Sequence, residues 1–267
     1  MSTTSIPGPD LSGRIALVTG GGRGIGRAIS EQLAAAGAAV AVNYRRDADA
    51  AAATVAAIGA AGGAARAYSA SVDDADAMAA MVDAITADLG PVDLLVCNAG
   101  IASRGQSVAD TDPAELVRVI GTHAIGAHHA ARLVLPGMRQ AARGDIVMIS
   151  SVAARSHGAN GAPYNMGKAA LEALAHTLAK EELANGIHVN IVAPGLVETD
   201  MGVRLARAIY GKRDMDDLRE LDSRFPFGRV CQPSDIADVV VYLCSDVASY
   251  LTDQRIVVDG GAGSARV

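Results

Sequence analysis

The 267-residue chain is 50% hydrophobic, 19% charged and carries a net charge of −6 at pH 7, a balance that fits one large α/β domain with a sizeable core. Mild acidity and only three lysines, Lys168, Lys180 and Lys212, argue against a nucleic-acid partner, which needs clustered cations to neutralise phosphates. Cys97, Cys231 and Cys244 are odd in number and show neither a CxxC pair nor metal-ligand spacing, so no metal is expected and a reduced, cytoplasmic setting is the simplest reading.

Residues 1–11 read as a loose, flexible extension. They are polar at the start, contain two prolines, and lack the basic-then-apolar order of a secretion signal. No apolar run reaches membrane-spanning length, so no membrane partner is expected. From residue 12 onward, short aliphatic runs at 15–19, 39–43, 64–69, 93–97, 145–150, 187–192 and 255–258 alternate with helical patterns. These start near Ile25, Asp47, Asp74, Pro113, Pro163 and Pro233. Such alternation predicts a seven-stranded parallel sheet with helices on both faces, a Rossmann-like doubly wound α/β fold. The runs are apolar throughout, as strands buried on both sides require. Residues 12–267 are therefore expected to be a single domain. Only 200–228 break the rhythm, an irregular stretch rich in mixed charge that reads either as a substrate lid inserted at the functional edge or as an ordinary surface helix pair.

The first run is followed by Thr19-Gly20-Gly21-Gly22-Arg23-Gly24-Ile25-Gly26. Glycines between a strand and a helix permit a tight turn and let backbone N–H groups approach an anion, and the helix N-terminus adds positive partial charge. The spacing is GxxxGxG rather than GxGxxG, and a pyrophosphate is the expected guest. The second run ends in Asn43-Tyr44-Arg45-Arg46, where an acid would grip the ribose of NAD. Arg45 and Arg46, with Arg23 in the loop, suit a 2′-phosphate instead, so NADP is favoured and NAD is the lesser candidate. The bland alternative is a solvated arginine pair at a helix start. Further on, Ser151 closes the run at 145–150, where open sheets keep their sites. Its hydroxyl can donate to a substrate oxygen, though serines also serve turns and caps there. Tyr164 and Lys168 are four apart on one helical face. An ammonium beside a phenol favours phenolate and equips the tyrosine for proton exchange. Chance alone supplies roughly 0.07 such pairs in this composition, so the pair gains weight only beside the glycine loop and Ser151.

Taken in order from about Leu11 to Gly261, these motifs resemble the short-chain dehydrogenase/reductase family. The matching pieces are TGGGRGIG at 19–26, Asn98-Ala99-Gly100, Ser151, YNMGK at 164–168, Asn190 with Pro194-Gly195-Leu196-Val197-Glu198-Thr199, and the tail from Phe225 to Gly261. Within that family the resemblance is to 3-oxoacyl-(acyl carrier protein) reductases and to sugar or alcohol dehydrogenases. The resemblance implies hydride transfer between nicotinamide and a carbonyl or secondary alcohol, with Tyr164 as acid and base, Lys168 lowering its pKa and binding the ribose, and Ser151 polarising the substrate oxygen. It also implies that Asn98, Ala99 and Gly100 line the cofactor cleft, along with Gly20, Gly22, Gly24 and Gly26, and that Pro194, Gly195, Val197 and Thr199 hold the nicotinamide. A homotetramer, formed through helices at about 113–142 and 163–185 and the C-terminal segment, is implied by resemblance alone.

Two positions depart from the family pattern. His123 stands where the family has an Asn that retains a water linking the lysine to solvent. It would either enter the proton relay, adding a pH-dependent contribution to turnover, or be a packed core histidine. At Ser71-Val72 the family commonly has an Asp for the adenine amino group, and Ser71 would bind it without charge. An acyl-carrier-linked substrate would ask for cations near the cleft, for which Arg104, Arg155, Arg204 and Arg207 are available. The competing reading is a non-catalytic NADP(H)-binding sensor of the same fold, which retention of both Tyr164 and Lys168 disfavours.

Overall fold

The computed structural model describes residues 8–211 and 214–262. Seven parallel strands form one sheet in the order β3-β2-β1-β4-β5-β6-β7. They are β1 (Ile15–Val18), β2 (Ala39–Tyr44), β3 (Ala64–Ser69), β4 (Leu94–Cys97), β5 (Gly144–Ile149), β6 (Ile187–Pro194) and β7 (Arg255–Val258). The helices are α1 (Gly24–Ala35), α2 (Ala48–Ala60), α3 (Ala75–Asp88), α4 (Pro113–Ile120), α5 (Gly126–Met138), the single turn α6 (Ala153–Ser156), α7 (Ala162–Glu181), α8 (Asp200–Tyr210) and α9 (Pro233–Cys244).

Helix starts follow local chemistry. Asp47, Asp74 and Asp112 each accept a hydrogen bond from a first-turn N–H of α2, α3 and α4, and Pro113 and Pro233 occupy first-turn positions where no donor is lost. The core lies in two layers. One face packs Leu17, Leu95, Ile146, Met148 and Ile191 against α3, α5 and α7. The other packs Val18, Val40, Val42, Val96 and Val147 against α1, α2 and α9. Alternate strand residues thus enter different cores, both apolar, and the central strands show no polar alternation. The edge strands depart from the expectation of burial on both sides. β3 is mostly exposed and β7 only partly buried, because each has a neighbour on one side only.

Three further expectations are corrected. Leu11, read as part of the extension, is 1% exposed and belongs to the core, with its N–H donating to Ala36 O at 2.7 Å; residues 1–7 of that extension lie outside the described residues. The helix expected over 113–142 is split by a π-helical turn at Gly121–Ile125, and it ends at Met138. The stretch 200–228 is not irregular: α8 and a 3₁₀ segment, Leu218–Arg224, enclose a small core of Ala206, Met215, Leu218, Leu221 and Val230. Lys212 and Arg213 of that stretch, and residues 263–267, lie outside the described residues. Among the described residues no helix is long and apolar enough to cross a membrane.

Candidate active site

The chain runs outward from β1 to β2 and β3, then returns to place β4 on the other side of β1. The carboxyl ends of β1 and β4 therefore diverge, and the crevice between them is where doubly wound folds bind ligands. Glycines 20–26 lie in it. Gly20 and Gly24 adopt positive φ, 63° and 53°. A Cβ at Gly26 would fall 2.1 Å from Gly20 O, so only glycine lets the start of α1 lie against the loop. No side chain caps α1 and no acid stands in its first turn, which leaves its N–H groups and partial positive charge for an anion. This cradle fits a dinucleotide pyrophosphate.

The loop is fastened by Thr19 and Asn98 of the quoted motifs, by Asn43, and by Thr54, which no sequence signal marked. Thr19 Oγ1 accepts the N–H groups of Asn98 and Ala99, both at 3.0 Å, while Asn98 Nδ2 donates to Thr19 O and Gly20 O at 3.0 and 3.1 Å. Asn98 is thus committed to holding the two strand ends together. Asn43, buried at the end of β2, accepts from Gly20 N through Oδ1 at 3.2 Å and donates to Ala70 O at 3.1 Å. Thr54 on α2 donates to Gly22 O at 3.0 Å. The side chain of Ile25 packs on the core from the loop's far end. Arg45 and Arg46 are exposed and make no ion pair with another described residue, and Arg23 approaches Asp47 at 3.8 Å with its side chain 69% exposed. Ser71 Oγ donates to the Asp73 carboxylate, and Val72 packs under Gly126.

Around the ends of β5 and β6 the remaining residues converge. Lys168 is buried and its Nζ donates to Ile149 O at 2.7 Å, 5.9 Å from the centre of the Tyr164 ring. A Cβ built on Gly100 would lie 3.6 Å from that ammonium. Burial lowers the Lys168 pKa to about 8, against the opposing pull of Cys97 and Glu172. The Cys97 thiol, also buried, is pushed up to about 12 and stays protonated. Ser151 Oγ accepts from Ala153 N at 3.2 Å and reaches the Tyr164 phenol. Burial raises the Tyr164 pKa and the Ser151 bond lowers it, with burial prevailing. This differs from the expected lowering by Lys168: the ammonium is turned to a backbone carbonyl rather than to the phenol oxygen.

His123 sits in the π-helical turn, 1% exposed. Its Nε2 meets Ile101 N at 3.0 Å and Ile101 O at 2.9 Å, and its ring stands edge-on to Tyr164 with centroids 5.1 Å apart. Burial and the Lys168 charge hold its pKa well below the ordinary value, so the imidazole is neutral. Pro194 O accepts from Val152 N at 3.0 Å, Gly195 packs on Asp259, and the methyl of Thr199 lies 3.2 Å from where a Gly24 Cβ would be. Val197 bridges to Cys231, and the Thr199 hydroxyl accepts from Gly202 N at 3.0 Å, capping α8. Of these four residues, Thr199 is the one whose side chain approaches the glycine loop, at Gly24.

A glycine cradle at the switch point of a doubly wound sheet defines the class, a Rossmann-like fold built around a dinucleotide crevice. A family model described as Enoyl-(Acyl carrier protein) reductase matches residues 20–263. The chain belongs to the short-chain dehydrogenase/reductase family. It is 38% identical to a 3-oxoacyl-(acyl-carrier-protein) reductase of Staphylococcus aureus over 92% of this chain and 96% of the relative. It is 37% identical to an acetoacetyl-CoA reductase of Shinella zoogloeoides over 93% and 98%. A structure described as an NAD(P)-dependent gluconate 5-dehydrogenase of Beutenbergia cavernae, with NADP bound at low occupancy, superposes with a TM-score of 0.85 at 34% identity, covering 97% of this chain and 100% of that one. This chain is an oxidoreductase acting on C=O or CH–OH groups.

Proposed function

We propose that the chain is an NADPH-dependent reductase of small ketones, with 3-oxoacyl thioesters as the leading substrate class. The observation that carries this reading is the convergence of Ser151, Tyr164 and Lys168 at the carboxyl edge of the sheet beside the glycine cradle. When bound, the nicotinamide supplies the hydride. The Ser151 hydroxyl and the Tyr164 phenol both donate to the substrate oxygen, stabilising negative charge as it develops. Tyr164, whose raised pKa keeps it protonated at neutral pH, then gives that oxygen its proton. Lys168 supplies positive charge behind the phenol and holds the nicotinamide ribose, and solvent restores the phenol proton after each turnover. Arg23, Arg45 and Arg46 hold the 2′-phosphate, and α8 with the 3₁₀ segment closes over the substrate. Arg104 and Arg155, exposed in the segments that follow β4 and β5 and each only loosely approaching a buried carboxylate, Glu115 and Glu172, are the cations available to an acyl-carrier-linked substrate. Arg207 is unsuited to that part, being bound to Met215 O and Asp216 within the 200–228 segment.

The test is NADPH oxidation with acetoacetyl-CoA and a panel of simple ketones. Turnover is expected with wild type and a fall of at least about 10³-fold in Tyr164→Phe; a Tyr164→Phe protein of full activity refutes the acid role. Arg45→Asp should lower kcat/KM for NADPH by about 10-fold or more and leave NADH little changed. Equal use of NADH and NADPH by the wild type removes the case for the arginine cluster.

A further inference from the structure

Ser150 and Ser151 adjoin at the end of β5 but face opposite ways. Ser151 meets Tyr164, whereas Ser150 is 3% exposed and donates to Glu172 Oε1 at 2.7 Å. Glu172 lies one helical turn beyond Lys168 on α7, also buried. The same Oε1 accepts from Arg255 Nε of β7 at 2.8 Å, and Arg255 Nη2 donates to the carbonyl oxygen of Ser151 at 3.1 Å. Arg155 of α6 approaches the other carboxylate oxygen at 3.6 Å. Four elements, β5, α6, α7 and β7, thus meet on one carboxylate directly behind the residue that faces the cleft.

A buried ion pair is a weak source of stability, because desolvation offsets the attraction and an apolar pair of similar volume does as well or better. What this pair does supply is direction. The regular β5–β6 ladder ends at Ile149 paired with Val192. Beyond it Ser150 N and Val152 N still donate to Val192 O and Pro194 O at 2.7 and 3.0 Å, while the Ser151 carbonyl, among the described residues, accepts from Ala154 N in the short α6 turn and from Arg255. The geometry points to Glu172 and Arg255 as positioning residues that fix the Ser151 peptide, and with it the aim of the Ser151 hydroxyl at Tyr164. This rests on the reading of Ser151 as a substrate-oxygen donor; Glu172 and Arg255 act through that residue.

The decisive variant is the apolar double replacement Glu172→Leu/Arg255→Met, compared with Glu172→Gln, which retains an oxygen acceptor for Ser150 and Arg255. The double variant should keep a Tm close to wild type and a KM for NADPH within about twofold, while kcat falls about tenfold or more, since misplacing a donor by a fraction of an ångström acts on the transition state. Glu172→Gln should recover part of that loss. Hydrogen exchange should quicken at the Val152 and Ala153 amides, the latter bonded to Ser151 Oγ. Unchanged kcat together with unchanged exchange at these amides overturns the proposal. If the double variant fails to fold, Arg255→Lys takes its place: it retains the charge but cannot bridge Glu172 and Ser151 O, and wild-type kcat in that variant is equally fatal. Should the wild type turn over no carbonyl at all, the reaction assignment fails, while the exchange measurement still decides whether this pair orders the Ser151 peptide.

Discussion

His123 joins the two sides of the site, touching Ile101 after β4 and the Tyr164 ring on α7. It fits because Gly167 offers no side chain: a Cβ there would lie 3.2 Å from His123 Cβ and 3.3 Å from the imidazole. A neutral ring with its pKa well below 6.5 has no titration to contribute near neutrality. The pH–rate profiles of wild type and His123→Asn should therefore superimpose between about pH 6 and 8, against the relay role that the sequence left open. Both should share an alkaline decline near pH 8, where the Lys168 ammonium is lost. Stability responds differently. The unfolded chain binds a proton at His123 near pH 6.5 and the folded chain does not, so wild-type stability is full above that pH and falls below it. The slope contributed is about 1.4 kcal/mol per pH unit. Denaturant titrations at pH 7 and 5.5 should show a steeper acid loss for wild type than for His123→Asn. His188 is depressed in the same direction but is present in both proteins and cancels. Tyr164, Lys168 and Ser151 were legible because their chemistry is tied to a short spacing or a strand end. Asn43, Glu172 and Arg255 were not, since what makes them matter is contact across long stretches of chain.

The glycine loop shows how an element converts sequence spacing into a binding surface. Gly26→Ala places a methyl group 2.1 Å from Gly20 O, which forces the loop and α1 apart. We expect NADPH affinity, read by fluorescence titration, to fall about 100-fold or more, with a stability loss of about 1–3 kcal/mol. Gly59→Ala is the matched control. Gly59 is exposed within α2 with nothing within 4 Å of the added Cβ, so it should gain about 0.5–1 kcal/mol and bind NADPH normally. In α8, Ala206 faces the small core while Leu205 and Ile209 remain 48% and 63% exposed. If α8 covers the substrate, Leu205→Ser/Ile209→Ser should raise KM for the carbonyl compound and leave KM for NADPH unchanged; a pair of unchanged constants removes the lid reading. The central strands were readable from composition because each is covered on both faces. The edge position of β3 was hidden because Ala64, Ala65 and Ala67 look alike whether buried or exposed. The π-helical turn was hidden too, since the residues of 121–125 carry no local signal for one extra residue in a helical turn.

At the scale of the molecule, the two cores and the single sheet leave several large apolar side chains outside. Val117 is 70% and Ile125 47% exposed, and both line a groove with Asp73, Pro113, Arg118 and Gly121 on the outer side of α4 and the π-helical turn. This is part of the 113–142 region through which the family resemblance anticipates self-association. Stable association needs about 800 Å² from each partner, more than these two residues supply, so an interface on this face would also draw on neighbouring parts of α4 and α5. Introducing a charge at the centre tests the surface directly. Val117→Glu/Ile125→Glu should lower the mass measured by light scattering, because a desolvated unpaired carboxylate is strongly unfavourable in an interface. Ile125 follows His123 by two residues in the same turn, so loss of assembly should also reach the site. Wild-type specific activity is then expected to fall on dilution below the dissociation constant, and the double variant should show the lowered activity at every concentration. A variant of unchanged mass would place assembly elsewhere, and one of reduced mass but full activity would show that the π-helical turn keeps His123 in place without a partner.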